Sequence, residues 1–370
     1  MTMGHFLDIL LTLAVGGVFG IILTLLKIPN GLRIGALFGS ALLGIFFQAA
    51  WMPSQTKFFV QVIAGSLFAC SIERSDVRRL PIVIKPIAIV LGTFLLLNLT
   101  MGTLIYMVTP LDLVTSLMCV IPGGASETPI IAADMGADAP KVALVQLCRN
   151  LMGIGVYPGM ILAYDNFLQK VEARRAIRSG LCGDFSSIAA DAASTKKKKK
   201  SQVRSAPVLV CTLAVGLAAG FLGRATQIPA GTMLFSMAAV LVLKLKFNFA
   251  YITHWEKKIA RLLSGCYIGS LITMEDVHSF KLLALPLVIT LGGYVANSFI
   301  TGKIISKTCG FTRKEGLLIT APAGASDMVF SSADIGVDNA DVIIVQVFRA
   351  IVAAAVFPQI INLLLLVLRT

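Results

Sequence analysis

Apolar runs dominate this chain, and short polar stretches cut it into segments. In the first half the runs fall at about 6–26, 34–50, 58–72 and 82–108, then a broken run at 113–135, then 142–163. The polar breaks are Lys27–Arg33, Trp51–Lys57, Glu73–Leu80, Thr109–Asp112 and Gly136–Lys141. The second half follows the same plan, at about 207–223, 231–243, 262–273, 282–302, a broken run at 316–335, and 342–368. Roughly 20 apolar residues suffice to cross the hydrocarbon core as a helix. The pattern predicts an all-α polytopic membrane protein. The run from Phe6 to Leu26 has no basic segment before it and no small-residue cleavage site after it, so it reads as a first membrane helix.

The two halves are copies. Residues 122–149 read PGGASETPIIAADMGADAPKVALVQLCR, and 322–349 read PAGASDMVFSSADIGVDNADVIIVQVFR, 200 positions later. Pro122, Gly124, Ala125, Ser126, Asp134, Gly136, Asp138, Gln146 and Arg149 all recur at that offset. Glu127 becomes Asp327 and keeps its carboxylate. Earlier punctuation matches too: Gly65 with Gly265, Pro86 with Pro286, and Gly92 with Gly292. An internal duplication of nearly the whole chain follows. It divides the chain into a membrane repeat at 1–164, a basic linker at 165–206 and a second repeat at 207–370.

Composition agrees with a membrane location. Hydrophobic residues make up 56% of the chain and charged residues 14%, against about half and a quarter in soluble domains. The net charge of +13 is no nucleic-acid footprint, because the basic residues fall between apolar runs. Neither the seven cysteines nor the three histidines show metal-ligand or disulfide spacing. No cofactor is expected. The linker carries Arg174, Arg175, Arg178 and Lys196–Lys200 with few large apolar residues. It reads as a disordered, solvated cytoplasmic loop, with contact to anionic lipid as the alternative.

The basic residues also choose a topology. If each broken run is a re-entrant hairpin, each repeat crosses five times, the linker is cytoplasmic, and the second repeat is inverted relative to the first. Leaving the linker aside, fifteen Lys and Arg residues then lie inside, among them Arg74, Arg78, Arg79, Lys85, Lys244, Lys246 and Lys307. Only Lys57, Lys141, Arg224, Lys281 and Arg369 lie outside. If the broken runs cross fully, the count becomes eleven against nine. The positive-inside rule selects two inverted-topology repeats, each of about five transmembrane helices plus a broken hairpin.

Each hairpin arm is about 14 Å long at 1.5 Å per residue, close to half of a hydrocarbon core about 30 Å thick. The tips therefore lie near the midplane. The candidate substrate and ion site is Gly123, Gly124, Ser126, Glu127, Gln146 and Arg149, with Gly324, Ser326, Asp327, Gln346 and Arg349 opposite. The small residues allow close backbone approach, or alternatively tight helix packing. Ser126 and Ser326 are placed to cap the returning arms, whose positive ends would then favour an anion. The free carbonyls of the descending arms would suit a cation such as Na⁺ near Glu127 and Asp327. Arg149 sits level with the tip, either clamping a carboxylate or phosphate or pairing with Glu127 or Asp134. Asp134 and Asp334, at the hairpin mouths, are expected to cap the following turn.

These motifs resemble the AbrB family of bacterial membrane proteins: P-G-G-x-S-E, then A-x-x-x-G-A-D, then V-A-x-x-Q-x-x-R, with the counterpart in repeat two. The chain departs from the family pattern at Ala125 and Ala325, and loses a glycine at Ala323. The resemblance implies a bacterial inner-membrane protein with a duplicated domain. It carries labels of gene regulator and of ammonia monooxygenase. The second has no cluster of metal ligands in this sequence to support it. The paired hairpins are similar to those of sodium–citrate and sodium–glutamate symporters, at the level of fold.

The expected function is a secondary transporter, not an enzyme. It would move a small organic anion coupled to Na⁺ or H⁺ by alternating access. The alternative is a membrane-embedded regulator signalling through the linker. Expected partners are the lipid bilayer, the anionic solute and the coupling ion, with a homodimer as the candidate assembly and no nucleic acid. Cysteine-accessibility labelling at Thr2 and Thr370 is predicted to report both termini outside; labelling of either from the cytoplasm alone contradicts the inverted arrangement.

Overall fold

A computed structural model describes residues 3–26, 28, 31–124, 127–166, 206–247, 249–252, 254–274, 280–322, 337 and 339–369. Every regular element among them is helical. The first repeat contains α1 (Met3–Leu25), α2 (Gly31–Phe47), α3 (Gln55–Ser71), α4 (Arg74–Val108), α5 (Leu113–Cys119), α6 (Thr128–Asp134) and α7 (Ala139–Gly155), with a helical continuation over 157–166. The second contains α8 (Ala206–Ala225), α9 (Gly231–Phe247), α10 (His254–Gly269), α11 (Ala284–Cys309), α12 (Arg313–Ile319) and α13 (Ala340–Arg369). The bulk of the expected linker, 167–205, lies outside the described residues.

Among the described residues, five helical stretches are long and apolar enough to cross a membrane: His5–Leu25, Arg74–Val108, Pro207–Ala225, Lys281–Cys309 and Asp341–Val367. Their outer faces carry exposed Phe6, Ile82, Met107 and Val288. Large apolar side chains in such number at the surface belong against lipid tails. This is a polytopic membrane protein.

Two elements begin earlier than the apolar pattern suggests. α4 starts at Arg74 and absorbs the polar stretch that reads as a break in sequence. The backbone N–H of Glu73 donates to Asp76 Oδ2 at 2.8 Å and fixes that start. Thirty-five residues make a helix of about 52 Å, so its basic first turns project beyond the hydrocarbon. α10 likewise starts at His254 rather than near 262. Polarity there marks emergence from the membrane, not the end of the helix.

The repeats are inverted. α4 and α11 occupy equivalent positions in the duplicated sequence, and they pack side by side in opposite directions. Lys85 near the start of α4 donates to Thr308 O near the end of α11 at 3.2 Å. Midway, Gly293 lies against Leu97 and Met101. An exchanged pair of crossings completes the symmetry: α2 packs on α10, and α3 on α9.

Packing units cut across the repeats. α1, α2 and α3 pack with α8, α9 and α10. α4, α5 and α7 pack with α11, α12 and α13 around the largest buried cluster, which includes Phe94, Leu117, Tyr157, Tyr294 and Phe357. Each body thus takes half its helices from each repeat. At one end of the molecule Arg74 bonds Leu245 O and Lys246 O, Arg79 pairs with Asp341 at 2.6 Å, and Lys314 with Asp165 at 3.0 Å. Arg74, Arg79, Lys246 and Lys314, all expected inside, share that end.

The duplicated glycines are of two kinds. A Cβ on Gly65 would sit 2.4 Å from Met233 O, at the crossing of α3 and α9. Gly92 and Gly292 meet nothing within 4 Å. Gly65→Val is therefore predicted to force α3 from α9 and lower stability by about 1–3 kcal/mol. Gly92→Ala is predicted to be neutral or slightly stabilising. Melting temperatures of the two purified variants check both.

Candidate functional site

The first hairpin is two short helices with an irregular tip. α5 and α6 have seven residues each, so each is about 10 Å long. Asp112 caps α5 by accepting from Thr115 N at 2.9 Å. Pro129 lies in the first turn of α6, where its missing N–H costs no helix bond. At the tip, Gly124 leaves room for a neighbouring side chain. A Cβ there would fall 1.8 Å from Glu127 Oε2, so the Glu127 side chain folds back over the glycine.

Broken helices leave carbonyls without partners, and a membrane interior offers no water to satisfy them. Side chains from neighbouring helices do so here. Asn98 Nδ2 donates to Leu117 O at 2.8 Å. Gln146 Nε2 lies 3.1, 3.3 and 3.0 Å from the carbonyl oxygens of Met118, Cys119 and Ile121. Arg149 spans the tip: Nη1 donates to Ile121 O at 2.8 Å and Nη2 to Gly123 O at 2.7 Å. Tyr294, reaching across from α11, donates to Val120 O at 2.8 Å and accepts from Arg149 Nη1 at 3.3 Å.

The second repeat does the same for α12. Gln346 Nε2 donates to Leu318 O at 2.7 Å. Arg349 Nη1 donates to Ile319 O at 2.8 Å and Ala321 O at 2.9 Å. Ser298 Oγ donates to Thr320 O at 2.9 Å. Both arginines are buried, 3% exposed. Each guanidinium also faces an aromatic ring of the opposite repeat, Arg149 on Tyr294 and Arg349 on Phe94. Those two rings stand at equivalent positions and touch at 5.7 Å between centroids.

Three expectations change. The carbonyls of the descending arms are not free for Na⁺; they are occupied by Gln146, Arg149, Tyr294, Gln346 and Arg349. The contacts of Arg149 among the described residues are carbonyls and a phenol, with no carboxylate among them. Its positive charge sits at the negative end of the α5 dipole, which favours it. Asp134 does not cap the next turn. It pairs with Lys57 at 2.6 Å and accepts from Gln61 Nε2 at 2.5 Å. Asp138 caps α7 instead, accepting from Lys141 N at 3.1 Å, while Gly136 makes the turn with a φ of 75°.

Gly123, Gly124, Glu127, Gln146 and Arg149 are thus brought together at one tip, and Gln346 and Arg349 at the other. Ser126, Gly324, Ser326, Asp327 and Asp334 lie outside the described residues. Sequence reasoning missed Phe94, Asn98, Tyr294 and Ser298, and also Lys57 as the partner of Asp134. The first four stand at the 200-residue offset in pairs, which is the signal that would have found them.

Comparison with known proteins fits this arrangement. The family model described as transition state regulatory protein AbrB matches residues 1–164 and again 50–365. The chain belongs to the AbrB family. It is also similar to an uncharacterized protein, YhjN, of Bacillus subtilis (strain 168). That similarity is 26% identity over 372 residues, covering 95% of this chain and 92% of the relative. The two family matches accord with the duplication.

Arg149→Ala is predicted to lower stability by about 1–3 kcal/mol, by leaving Gly123 O without a donor. Arg149→Lys keeps the charge but loses the fork, so it should fall between wild type and alanine. Adding Glu127→Gln to Arg149→Ala should not restore the loss. Thermal melts of the single and double variants check this; rescue by Glu127→Gln would instead reveal an ion pair.

Proposed function

We propose that this AbrB-family protein is a secondary transporter of a small organic anion in a bacterial inner membrane, driven by Na⁺ or H⁺. The observation that carries this reading is that the broken hairpin α5–α6 of one repeat and the equivalent short helix α12 of the inverted repeat have their ends held by matching Gln and Arg side chains, with Phe94 against Tyr294 between the two arginines. Inverted repeats with discontinuous helices at the midplane suit alternating access, because the repeats can exchange conformations about a pseudo-two-fold axis to give two states open to opposite sides. The second body, α1–α3 with α8–α10, supplies a surface against which the hairpin body can shift.

In this reading Glu127 is the coupling group, a carboxylate at the hairpin tip that takes up Na⁺ or a proton. Arg149 and Arg349 keep the tips formed and place positive charge at the centre, which favours a bound anion. Gln146 and Gln346 hold the tip geometry. No covalent chemistry is required. A homodimer is the proposed assembly.

The family description favours a second reading, a membrane regulator of gene expression. Its signalling element would be the basic linker. Reconstitution separates the two. Proteoliposomes holding the purified protein should accumulate labelled succinate, citrate or glutamate under an inward Na⁺ or proton gradient. An ionophore that collapses the gradient should abolish uptake. No uptake of any of the three under either gradient would favour the regulator.

A further inference from the structure

A polar cavity of about 290 Å³ opens at the end of the molecule opposite the basic cluster. It lies on the boundary between the two packing bodies. Lys57, Phe58 and Gln61 of α3, Arg224 of α8, and Thr232 at the start of α9 line one side. Asp134, the last residue of the hairpin arm α6, lines the other.

Two features give this cavity a chemistry. First, it already seats a carboxylate from the chain itself. Asp134 places one oxygen on Lys57 at 2.6 Å and the other on Gln61 at 2.5 Å. The ammonium and the amide are therefore spaced for a carboxylate. Second, Arg224 is exposed, rests on the Phe58 ring at 5.8 Å, and forms no ion pair among the described residues. Its fork can take a second carboxylate in bidentate fashion. With two cations and one anion in its wall, the cavity keeps a net positive charge.

We propose that this cavity binds a small organic acid, with one carboxylate on Arg224 and another competing with Asp134 for Lys57. Binding then weakens a polar tie between the hairpin arm α6 and the body that contains α3. Arrival of the ligand at the outer face loosens the hairpin it must pass. The choice of ligand rests on the organic-anion reading above; the site itself does not require transport.

Asp134→Asn provides a test whose sign is diagnostic, because it removes the internal competitor and leaves Lys57 to the ligand. Succinate is titrated calorimetrically into the purified full chain in detergent, with acetate and inorganic phosphate as comparison probes. Succinate should bind about tenfold more tightly to Asp134→Asn than to wild type, and at least about tenfold more weakly to Arg224→Ala. Arg224→Ala should melt like wild type without ligand, since the side chain is exposed. Equal succinate affinity in all three proteins overturns the proposal, as does absence of binding even to Asp134→Asn. Binding of phosphate without succinate also overturns it, assigning the cavity to a lipid headgroup or free phosphate. The two readings fail separately. Succinate binding with the expected signs but no uptake leaves the site and removes the transporter. Uptake unaltered by Arg224→Ala leaves the transporter and removes the site.

Discussion

A peptide carbonyl at the end of a helix needs a donor, and inside hydrocarbon no water supplies one. This constraint organises the centre of the molecule. Breaking a helix at Pro122 or Pro322 exposes the last carbonyls of α5 and α12. Each repeat answers with Gln and Arg from its following long helix, three residues apart and so on one face. Leu117, Met118, Cys119, Val120, Ile121 and Gly123 each find a side-chain donor. Arginine suits the task better than lysine, because one planar fork reaches two carbonyls and tolerates burial against an aromatic face.

Inversion of the repeats brings these solutions together. α4 and α11 run antiparallel through the centre, so the aromatic ring on each faces the arginine of the opposite repeat, on α7 or α13. Tyr294 goes further and bonds the opposite hairpin directly. The first hairpin is therefore held from both repeats, in a body distinct from the one built by α1–α3 and α8–α10. Among the described residues, polar contacts between the bodies include Lys57 with Asp134, Arg74 with the end of α9, and Gln359 with Pro229 O. A tightly bonded centre with polar ties at its edge suits a moving element.

Much of this was legible in the chain. The fixed offset revealed the duplication, and the distribution of Arg74, Arg78, Arg79 and Lys85 pointed to hairpins and inversion. The 1.5 Å rise placed Arg149 level with the tip. Its role was not legible, because a backbone carbonyl leaves no mark in sequence: the conspicuous candidates were carboxylates such as Glu127, whereas the partners were peptide groups. Asp134 misled for a related reason. Its partner Lys57 is distant in sequence and reads as a loop charge, while the cap of the next helix falls to Asp138. α4 starts earlier than its apolar run because polar residues beyond the hydrocarbon still belong to the helix.

Arg149 and Tyr294 act together on the carbonyls of the first hairpin, across the repeat boundary. A double-mutant cycle in melting stability between Arg149→Lys and Tyr294→Phe tests it most directly, since phenylalanine is the residue at the equivalent position 94. A shared network predicts a coupling energy of about 0.5–3 kcal/mol. Additivity of the two changes to within about 0.3–0.5 kcal/mol, with both variants folded, would contradict it.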